Sequence, residues 1–586
     1  MLKEYRTLVP FVRRYRWSYI AGIACLAVTS GSQILIPQFL RRAIDAVSWG
    51  GFDLRTIGVL MIQLIGVSIV IALGRFGWRY FIHGASRRIE AELRARLFEK
   101  FLMLQPSFYH RSQVGDLMAL STNDMNSVRM ASGMALVALF DGVFLTAGIL
   151  GILFVQSPRI AAIVILPLPF ITGLILFAGR FIRGLFLKVQ EGFSSLSQQA
   201  HEMLSGVRVI KSFVKEQFFL GKFADSNAEY QGRNMKLVRI WGLFFPLVSF
   251  LAGITTLLLL RYGGEGVILG SVSAGEFVAT LSYLEMLIWP MLGAGFTVNL
   301  LQRGAASLQR INAVLDETPE IASPPDGVRV MPSTAISIRN LSFTYPGASA
   351  SALHGVSLEV PEGSILGILG RTGSGKSTLL RLLPRTDNPP RGTVFVGGVD
   401  VLDYDLKTLR EAFGSVPQDT FLFSVSLRDN IGFGLDDPDE TLIRHAADVS
   451  TISRDMQTFP DGWETEVGER GITLSGGQKQ RVAISRALAK KPRILVFDDA
   501  LSAVDTETEE LILNQLLSER SATTSIIVSH RVSTLAAADK IAVLDQGRLI
   551  QYGTHAELLT QDGFYREVSL LQQLSEQKTY TDPEDI

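Results

Sequence analysis

The chain has 586 residues with 56 basic and 56 acidic side chains, so its formal net charge is zero. This balance gives no bulk electrostatic attraction for nucleic acid, and no nucleic-acid partner is expected. Mean hydropathy is positive, +0.26, but the uncharged apolar runs are concentrated before about residue 300, whereas charge is dense after residue 335. The single cysteine, Cys25, excludes an intrachain disulfide. The sequence therefore predicts a membrane half followed by a soluble half.

Six apolar segments of the first half reach the length of roughly 20 residues that a helix needs to cross a membrane. They cover residues 17–40, 56–81, 134–156, 160–179, 240–260 and 277–300. The connections after the second and fourth segments are long and rich in Lys and Arg, which favours the cytoplasmic side. We therefore predict a multi-pass protein of the cell membrane whose N-terminus and soluble half are cytoplasmic. Helices in the long connections are expected to carry a polar centre outward, where it can touch the soluble half.

Two acidic residues, Asp141 and Glu285, fall within the predicted spans. A charge at membrane depth is costly and suggests a functional site. The alternative is a carboxyl group that is neutral or hydrogen-bonded to a neighbouring helix, and the sequence does not decide between the two. Five prolines in the spans are expected to kink helices, namely Pro37, Pro167, Pro169, Pro246 and Pro290.

A segment rich in Pro and small polar residues separates the two halves and predicts a linker. The expected organisation is a six-helix transmembrane domain at 1–315, a linker at 316–335 and a nucleotide-binding domain at 336–575. Residues 576–586 contain little apolar surface, so a disordered tail is predicted there.

The strongest motif of the chain is "GRTGSGKS", which follows an apolar strand and precedes an apolar helix. This spacing matches a phosphate loop, whose glycines let backbone N–H groups close around phosphates at a helix N-terminus. Lys376 is expected to reach the β- and γ-phosphates, and the Ser377 hydroxyl to bind Mg²⁺. The predicted phosphate-binding residues are Gly370, Arg371, Thr372, Gly373, Ser374, Gly375, Lys376, Ser377 and Thr378.

Two further motifs follow the loop. "RILVFDD" is a buried strand that ends in Asp498 and Asp499, and Asp498 is placed to hold Mg²⁺ beside a nucleotide. "LSGGQ" brings small residues to a second helix N-terminus, which is able to receive another anion. Since the first loop already holds this chain's own nucleotide, the second motif is expected to serve a nucleotide on a partner chain. Its residues are Leu474, Ser475, Gly476, Gly477 and Gln478.

The set "GRTGSGKS", "VPQD", "LSGGQ", "ILVFD", "SAVD" and "SHR" resembles the ATP-binding-cassette (ABC) transporters over nearly the whole chain. Six spans ahead of the cassette resemble a half-transporter exporter of the multidrug and lipid type. The implied fold is an α-helical membrane domain with long cytoplasmic extensions, followed by an α/β P-loop ABC ATPase domain, and the implied cofactors are ATP and Mg²⁺.

The resemblance also implies roles for single residues. Tyr345 would stack on adenine, Gln418 would sense Mg²⁺ and the attacking water, and His530 would reach the γ-phosphate. Asp505 would lie in a loop that communicates across a dimer of cassettes. The segment "TEVGERG" would touch the cytoplasmic helices of the partner.

Asp499 departs from the family pattern, which usually has Glu after the metal-binding aspartate. The shorter side chain should misplace the attacking water, and about 1 Å of misplacement can cost around a hundredfold in rate. Binding should survive while hydrolysis at this chain's own site is slow. The pattern resembles one subunit of heterodimeric bacterial exporters and implies a second half-transporter as partner. A homodimer that tolerates Asp is the alternative.

The predicted function is ATP-driven export or translocation of hydrophobic or amphipathic small molecules, drugs or lipids, across a bacterial cell membrane. A nucleotide-gated regulator or channel is a second class, which a test of net transport against a gradient would separate. An importer is disfavoured because the spans are fused ahead of the cassette. The sequence does not identify the substrate.

Overall fold

The computed structural model describes residues 3–48, 54–468, 471, 474–518 and 523–581. The chain divides into two compact units. The membrane unit comprises Met1–Leu102 and Val114–Glu317, and the soluble unit comprises Met103–Gln113 and Thr318–Ile586. The soluble unit therefore includes the centre of the first long connection.

The membrane unit consists of long helices joined by short helices and turns. π-Helical turns at Arg79–His83, Leu120–Asp124 and Leu259–Gly263 continue α3, α6 and α12. The helices are α1 Val9–Arg14, α2 Arg16–Ser48, α3 Leu54–Trp78, α4 Gly84–Met103, α5 Pro106–Arg111, α6 Val114–Ala119, α7 Met125–Ser132, α8 Met134–Gln156, α9 Pro158–Ile165, α10 Leu168–Ser205, α11 Val207–Ser212, α12 Glu216–Leu258, α13 Gly264–Ile268 and α14 Ala274–Leu315.

Five helical stretches in the described part of the chain are long and apolar enough to cross a membrane: Arg16–Ser48, Arg55–Met103, Val114–Gln156, Glu216–Ile268 and Ala274–Leu315. The fourth predicted span, residues 160–179, is divided between α9 and α10 by a turn at Leu166 and Pro167. Two prolines, Pro167 and Pro169, lie at or just after this turn, and both lack the N–H that would continue the hydrogen bonds of α9. A sixth span therefore stays a prediction. Pro37, Pro246 and Pro290 instead lie inside continuous helices.

The core of the membrane unit lies between α2, α8, α12 and α14. Ile149, Tyr283 and Leu287 are fully buried there, together with Ile34 and Leu145. The Tyr283 hydroxyl donates to the Ile34 carbonyl oxygen at 2.8 Å and accepts from the Gln38 side chain at 2.8 Å. A buried phenol is thereby satisfied without water, as a membrane interior requires.

The two intramembrane acids differ in their surroundings. Asp141 is half-buried and accepts a hydrogen bond from the Ser30 hydroxyl of α2 at 2.7 Å. This contact is of the kind expected for a carboxyl group that is hydrogen-bonded to a neighbouring helix. Glu285 is exposed on α14.

The soluble unit contains two sheets. β2, β1, β4 and β5 form one of them in that order, and all three of its pairings are antiparallel. The larger sheet has the order β10-β9-β3-β8-β7-β6 and is parallel except for the β9–β10 pair. The strands are β1 Ile336–Phe343, β2 Leu353–Val360, β3 Ile365–Gly370, β4 Val394–Val396, β5 Val399–Asp400, β6 Phe413–Val416, β7 Ile494–Asp498, β8 Thr524–Val528, β9 Lys540–Asp545 and β10 Arg548–Gly553.

Helices cover the larger sheet, and β3 at its centre is buried along its whole length, as expected for a parallel strand with both faces covered. The helices are α15 Lys376–Leu382, α16 Leu406–Glu411, α17 Leu427–Ile431, α18 Glu440–Val449, α19 Gly476–Ala489, α20 Thr506–Ser518, α21 Val532–Leu535, α22 His555–Thr560 and α23 Phe564–Thr581.

The predicted linker makes defined contacts, and the predicted disordered tail is helical over part of its length. The predicted linker packs on the soluble unit: the Glu320 N–H donates to the Gln105 side chain at 3.2 Å and the Arg493 guanidinium donates to the Met331 carbonyl oxygen at 2.8 Å. The predicted tail is helical as far as Thr581, and residues 582–586 lie outside the described residues. Glu469 and Arg470 of "TEVGERG" also lie outside them.

Candidate nucleotide site

Four loops meet at the carboxyl edge of the larger sheet, because parallel strands end on the same side. β3 leads into the phosphate loop, β7 ends at Asp498, and Gln418 and His530 follow β6 and β8. In the sheet register Ile368 pairs with Val528, and Val528 pairs with Asp498. The loops enclose a cavity of about 190 Å³, which is lined by Ala352, Thr372, Gly373, Ser374, Gly375, Lys376, Ser377, Thr378, Gln418, Asp498, Asp499, Val528 and His530.

The phosphate loop has the backbone that its glycines allow. Gly373 and Gly375 have φ of +80° and +96°, and a Cβ at Gly375 would lie 2.7 Å from the Ala352 carbonyl oxygen. The Lys376 ammonium donates to the carbonyl oxygens of Gly370 and Arg371 at 2.8 and 2.9 Å. Ser374 Oγ is buried with no hydrogen-bond partner among the described residues. The loop thus holds polar donors that a bound anion can use.

Arg371 is the one side chain of the predicted loop that does not line the cavity. Its guanidinium lies 5.2 Å from the ring centroid of Phe564, at the start of α23. Such a cation–π contact fixes the outer part of the loop against the last helix.

The pKa values of two groups on the cavity wall, Lys376 and Asp498, are shifted in the direction that favours the neutral form. Burial lowers the pKa of Lys376, and the nearby carboxylates of Asp498 and Asp499 act against that shift. Burial likewise raises the pKa of Asp498, while the hydrogen bond from Ser377 and the charge of Lys376 oppose it. The site therefore keeps a lysine and a carboxylate close together in a partly dehydrated space, where electrostatic interactions are strong.

Asp499 has an unusual backbone for a residue with a side chain, with φ of +52°. Its N–H donates to the Val528 carbonyl oxygen at 3.1 Å, and its own carbonyl oxygen accepts from the Ser502 hydroxyl at 2.9 Å. Asp and Asn tolerate the left-handed region better than longer residues because their short side chains bond locally. The aspartate identity thus suits this backbone, a reason that the sequence pattern alone did not reveal.

His530 is held by its backbone from α23. The Gln572 side-chain amide donates to the His530 carbonyl oxygen at 2.7 Å, and its oxygen accepts from the Val532 N–H at 2.8 Å. Arg531 pairs with the buried Glu509 of α20. Gln572 was not predicted from the sequence, since it lies in a polar run without a recognisable motif.

Tyr345 lies next to the cavity and does not line it. Its hydroxyl donates to Thr378 Oγ1 at 3.1 Å, and its ring meets the Phe343 ring edge-on at 5.0 Å. The aromatic ring is therefore fixed beside the helix that follows the phosphate loop.

The "LSGGQ" residues lie outside this chain's cavity lining. Leu474 is buried in a separate core, and Ser475 caps α19: its hydroxyl accepts from Gln478 N–H at 3.3 Å while Gln478 Oε1 accepts from Ser475 N–H at 3.0 Å. Asp505 also caps a helix, accepting from the Thr508 N–H at 2.9 Å, and this bond lowers its pKa. The structure thus brings the phosphate loop, Gln418, Asp498, Asp499 and His530 together and keeps the signature motif and Asp505 apart from them.

A helical membrane unit joined to a soluble unit with a phosphate loop defines a membrane-bound ATPase of the transporter class. Residues 19–291 match the ABC transporter transmembrane region, and residues 353–502 match the ABC transporter family. The chain belongs to the ABC transporter family and is an exporter-type fusion of membrane domain and ATPase, in which ATP drives transport.

Relatives of full length support this assignment. A probable multidrug resistance ABC transporter ATP-binding/permease protein of Bacillus subtilis is 36% identical, with 98% of each chain covered. The multidrug resistance-like ATP-binding protein MdlA of Escherichia coli is 34% identical over 98% of this chain and 97% of that protein. An ATP-dependent lipid A-core flippase of Chromohalobacter salexigens is 30% identical over 97% and 98%. The structure of a bacterial Atm1-family ABC exporter with ATP bound has a TM-score of 0.77 and 28% identity, covering 96% and 98%.

Proposed function

We propose that this chain is one half of a dimeric ABC exporter that moves hydrophobic or amphipathic small molecules, drugs or lipids, outward across the cell membrane. The observation that carries the proposal is the separation of "LSGGQ" from the cavity of its own chain. A helix N-terminus with capped, small residues suits an anion, and a second chain can supply that anion as the γ-phosphate of its own nucleotide. The ATPase unit and the N-terminus then face the cytoplasm.

The cavity suits ATP together with Mg²⁺. Among the described residues no group of three or more His, Cys, Asp or Glu side chains is placed to hold a metal ion by itself, and Mg²⁺ is usually bound through one or two carboxylates together with substrate phosphates. Asp498, the Ser377 hydroxyl and the Gln418 amide oxygen supply hard oxygen ligands on one wall. A bound Mg²⁺ would offset the negative charge of the phosphates.

Four residues of this chain would bind the nucleotide and position the groups that react. Lys376 exchanges its two loop carbonyl partners for the phosphates, and Tyr345 stacks on the adenine. His530 donates toward the γ-phosphate from the end of β8. Gln418 positions the attacking water and moves with the loop that follows β6.

Asp499 would make hydrolysis slow at this site. Its carboxylate is one methylene shorter than that of Glu, and its backbone is anchored through Val528 and Ser502, so the shortfall in reach is not easily recovered. Because the phosphate loop is intact, nucleotide binding persists while turnover falls.

The impaired site implies a partner that carries the active one. We infer a heterodimer in which this chain's "LSGGQ" completes the site of a second half-transporter with Glu at the matching position. Purification from the native membrane in mild detergent or nanodiscs through a tag on this chain, followed by mass spectrometry, tests this. An equimolar second half-transporter is expected. This chain alone, hydrolysing ATP at ordinary rates as a homodimer, would overturn both the heterodimer and the impairment.

The substrate class follows from the relatives, whose names refer to multidrug resistance and to lipid A-core flipping. Net ATP-dependent movement of a fluorescent lipid or a hydrophobic dye into inside-out vesicles is the direct test. Nucleotide-dependent conductance without transport against a gradient would instead identify a gated channel.

A further inference from the structure

Gln480 in α19 connects the signature helix to the loop that follows Asp499. Its side chain is 7% exposed. Its Oε1 accepts from the Ala503 N–H at 2.9 Å, and its Nε2 donates to Ser502 Oγ at 3.2 Å. The amide thus uses a donor and an acceptor at once on two successive residues, which neither Glu nor Leu reproduces.

The hydrogen bonds continue from this loop to the nucleotide cavity. Ser502 Oγ accepts from Gln480 and donates its own proton to the Asp499 carbonyl oxygen at 2.9 Å. Each group has a consistent donor or acceptor role, so one unbroken chain runs from α19 to the backbone of a residue that lines the cavity. The bonds of Gln480 to Ser502 and Ala503 are part-buried, whereas the bond from Ser502 to Asp499 is exposed.

Steric contact reinforces the connection. A Cβ on Gly477 would lie 2.8 Å from the Ala503 carbonyl oxygen, so the signature motif touches the same loop that Gln480 binds. Movement of the Asp499–Val504 loop is therefore passed to the N-terminus of α19, because close-packed groups cannot deform independently.

We propose that Gln480 is a positioning residue that couples the two ATP sites of the transporter. Occupancy of this chain's own cavity sets the backbone at Asp499, and Ser502 and Gln480 transmit that setting to the "LSGGQ" motif. The inference rests on the proposed function, in which that motif serves the partner's nucleotide. The reverse effect follows from thermodynamic linkage: a nucleotide on the partner alters affinity at this chain's cavity by the same factor.

The test is equilibrium binding of a fluorescent ATP analogue to the purified transporter in nanodiscs. The affinity of the partner's site is measured twice, once with this chain's site intact and once with nucleotide binding at this chain's site removed by Lys376→Ala. The ratio of the two affinities is the coupling factor, for which about 5- to 150-fold is typical of coupled sites. Gln480→Ala should bring the ratio to within about twofold of unity, which is below the range that is typical of coupled sites. Gln480→Glu keeps the acceptor for Ala503 and loses the donor to Ser502, so it should give an intermediate ratio.

Gln457→Ala is the matched control, because Gln457 is exposed in the same subdomain and makes none of these contacts. It should leave the ratio unchanged. A ratio that Gln480→Ala and Gln480→Glu both leave at the unsubstituted value would overturn the proposal. The outcome is separate from that of the partner experiment, since in a homodimer the same ratio can be measured on a mixed dimer that carries the substitutions on one copy only. Should Gln480→Ala fail to fold, Gln480→Glu alone decides by the same ratio.

Discussion

The Gln572 side chain donates to the His530 carbonyl oxygen at 2.7 Å and accepts from the Val532 N–H at 2.8 Å. The last helix of the described chain thereby holds the backbone that carries the histidine of the nucleotide cavity. The amide of Gln572 binds the residues before and after Arg531, so the backbone of the loop that carries the His530 imidazole has little freedom to move.

Gln572→Ala should lower kcat for ATP several-fold with a smaller change in KM. The reason is that loss of the two bonds releases the His530 backbone without removing a group that touches nucleotide. Two neutral hydrogen bonds also contribute about 1–3 kcal/mol to stability. Steady-state kinetics and thermal unfolding check this. Gln573→Ala changes an exposed neighbour, and equal effects of the two substitutions would contradict the prediction.

Lys376→Ala should abolish nucleotide binding at this chain's cavity. The ammonium, which donates to Gly370 and Arg371, is the cation placed to exchange those carbonyls for phosphates. Photolabelling of this chain by an ATP analogue should fall at least about tenfold, the loss that 1.4 kcal/mol gives. Lys407→Ala removes a lysine whose side chain is 77% exposed and should leave labelling intact. Unchanged labelling of the Lys376 variant would place the nucleotide elsewhere.

Asp499→Glu should raise ATP turnover at this site by about tenfold to a hundredfold, since about 1 Å of reach carries an effect of that order. The same change places a longer side chain at φ of +52°, so we expect a small loss of thermal stability. Turnover is measured with the partner's site inactivated. Asp499→Asn keeps the side-chain length and the tolerated backbone but removes the charge, and it should lower turnover. If Glu gives no increase, the site has a different defect.

Magnesium-dependent nucleotide binding should weaken as pH falls. The weakening should begin at a higher pH than it would if the metal ligand were an aspartate with an ordinary pKa. Burial raises the pKa of Asp498, and a protonated carboxyl is a poor ligand for Mg²⁺. The pH dependence of the stability of the folded apo protein has the opposite direction. The folded protein binds the Asp498 proton more tightly than the unfolded chain does, so the stability that Asp498 contributes is present at low pH and is lost as pH rises through the folded pKa.

Asp498→Asn tests both parts of that prediction. The apo variant should be more stable than the unsubstituted protein at neutral pH, because a buried charge is removed. Its Mg²⁺-dependent binding should fall at least about tenfold, a loss that altered metal surroundings commonly cause. Binding and melting curves between pH 5 and 8 give the two profiles. A pH profile of binding that the substitution leaves unshifted would exclude Asp498 as the titrating group.

The sequence was informative where chemistry requires fixed spacing. The phosphate loop and Asp498 could be predicted from motifs at the ends of apolar strands, whereas the roles of Gln418 and His530 were implied by the resemblance to ABC transporters. Gln480 and Gln572 could not be found this way, since their partners, three backbone groups and the Ser502 hydroxyl, lie 22 to 42 residues away in the chain. The left-handed backbone of Asp499 likewise depends on tertiary contacts with Val528 and Ser502 and leaves no periodic pattern.

The membrane half was predicted less completely. Hydropathy identifies apolar segments but not the turn at Leu166 and Pro167 that divides one of them. Composition predicted a linker but not its contacts, and Glu320 and Met331 of this segment are hydrogen-bonded to residues of the soluble unit. Backbone groups in such a segment must find partners whatever its side chains suggest.

The assignment of Met103–Gln113 to the soluble unit has a covalent consequence. The polypeptide passes between the two units at three places, after Leu102, after Gln113 and after Glu317. A single cut in the linker therefore leaves Met103–Gln113 covalently joined to the membrane unit, and only non-covalent contacts hold these residues to the rest of the soluble unit. A soluble fragment that begins at the linker would lack these eleven residues and with them the Gln105 amide that binds Glu320. Its surface would then differ from that of the ATPase in the intact transporter, and the two can be compared fairly only when the missing peptide is restored.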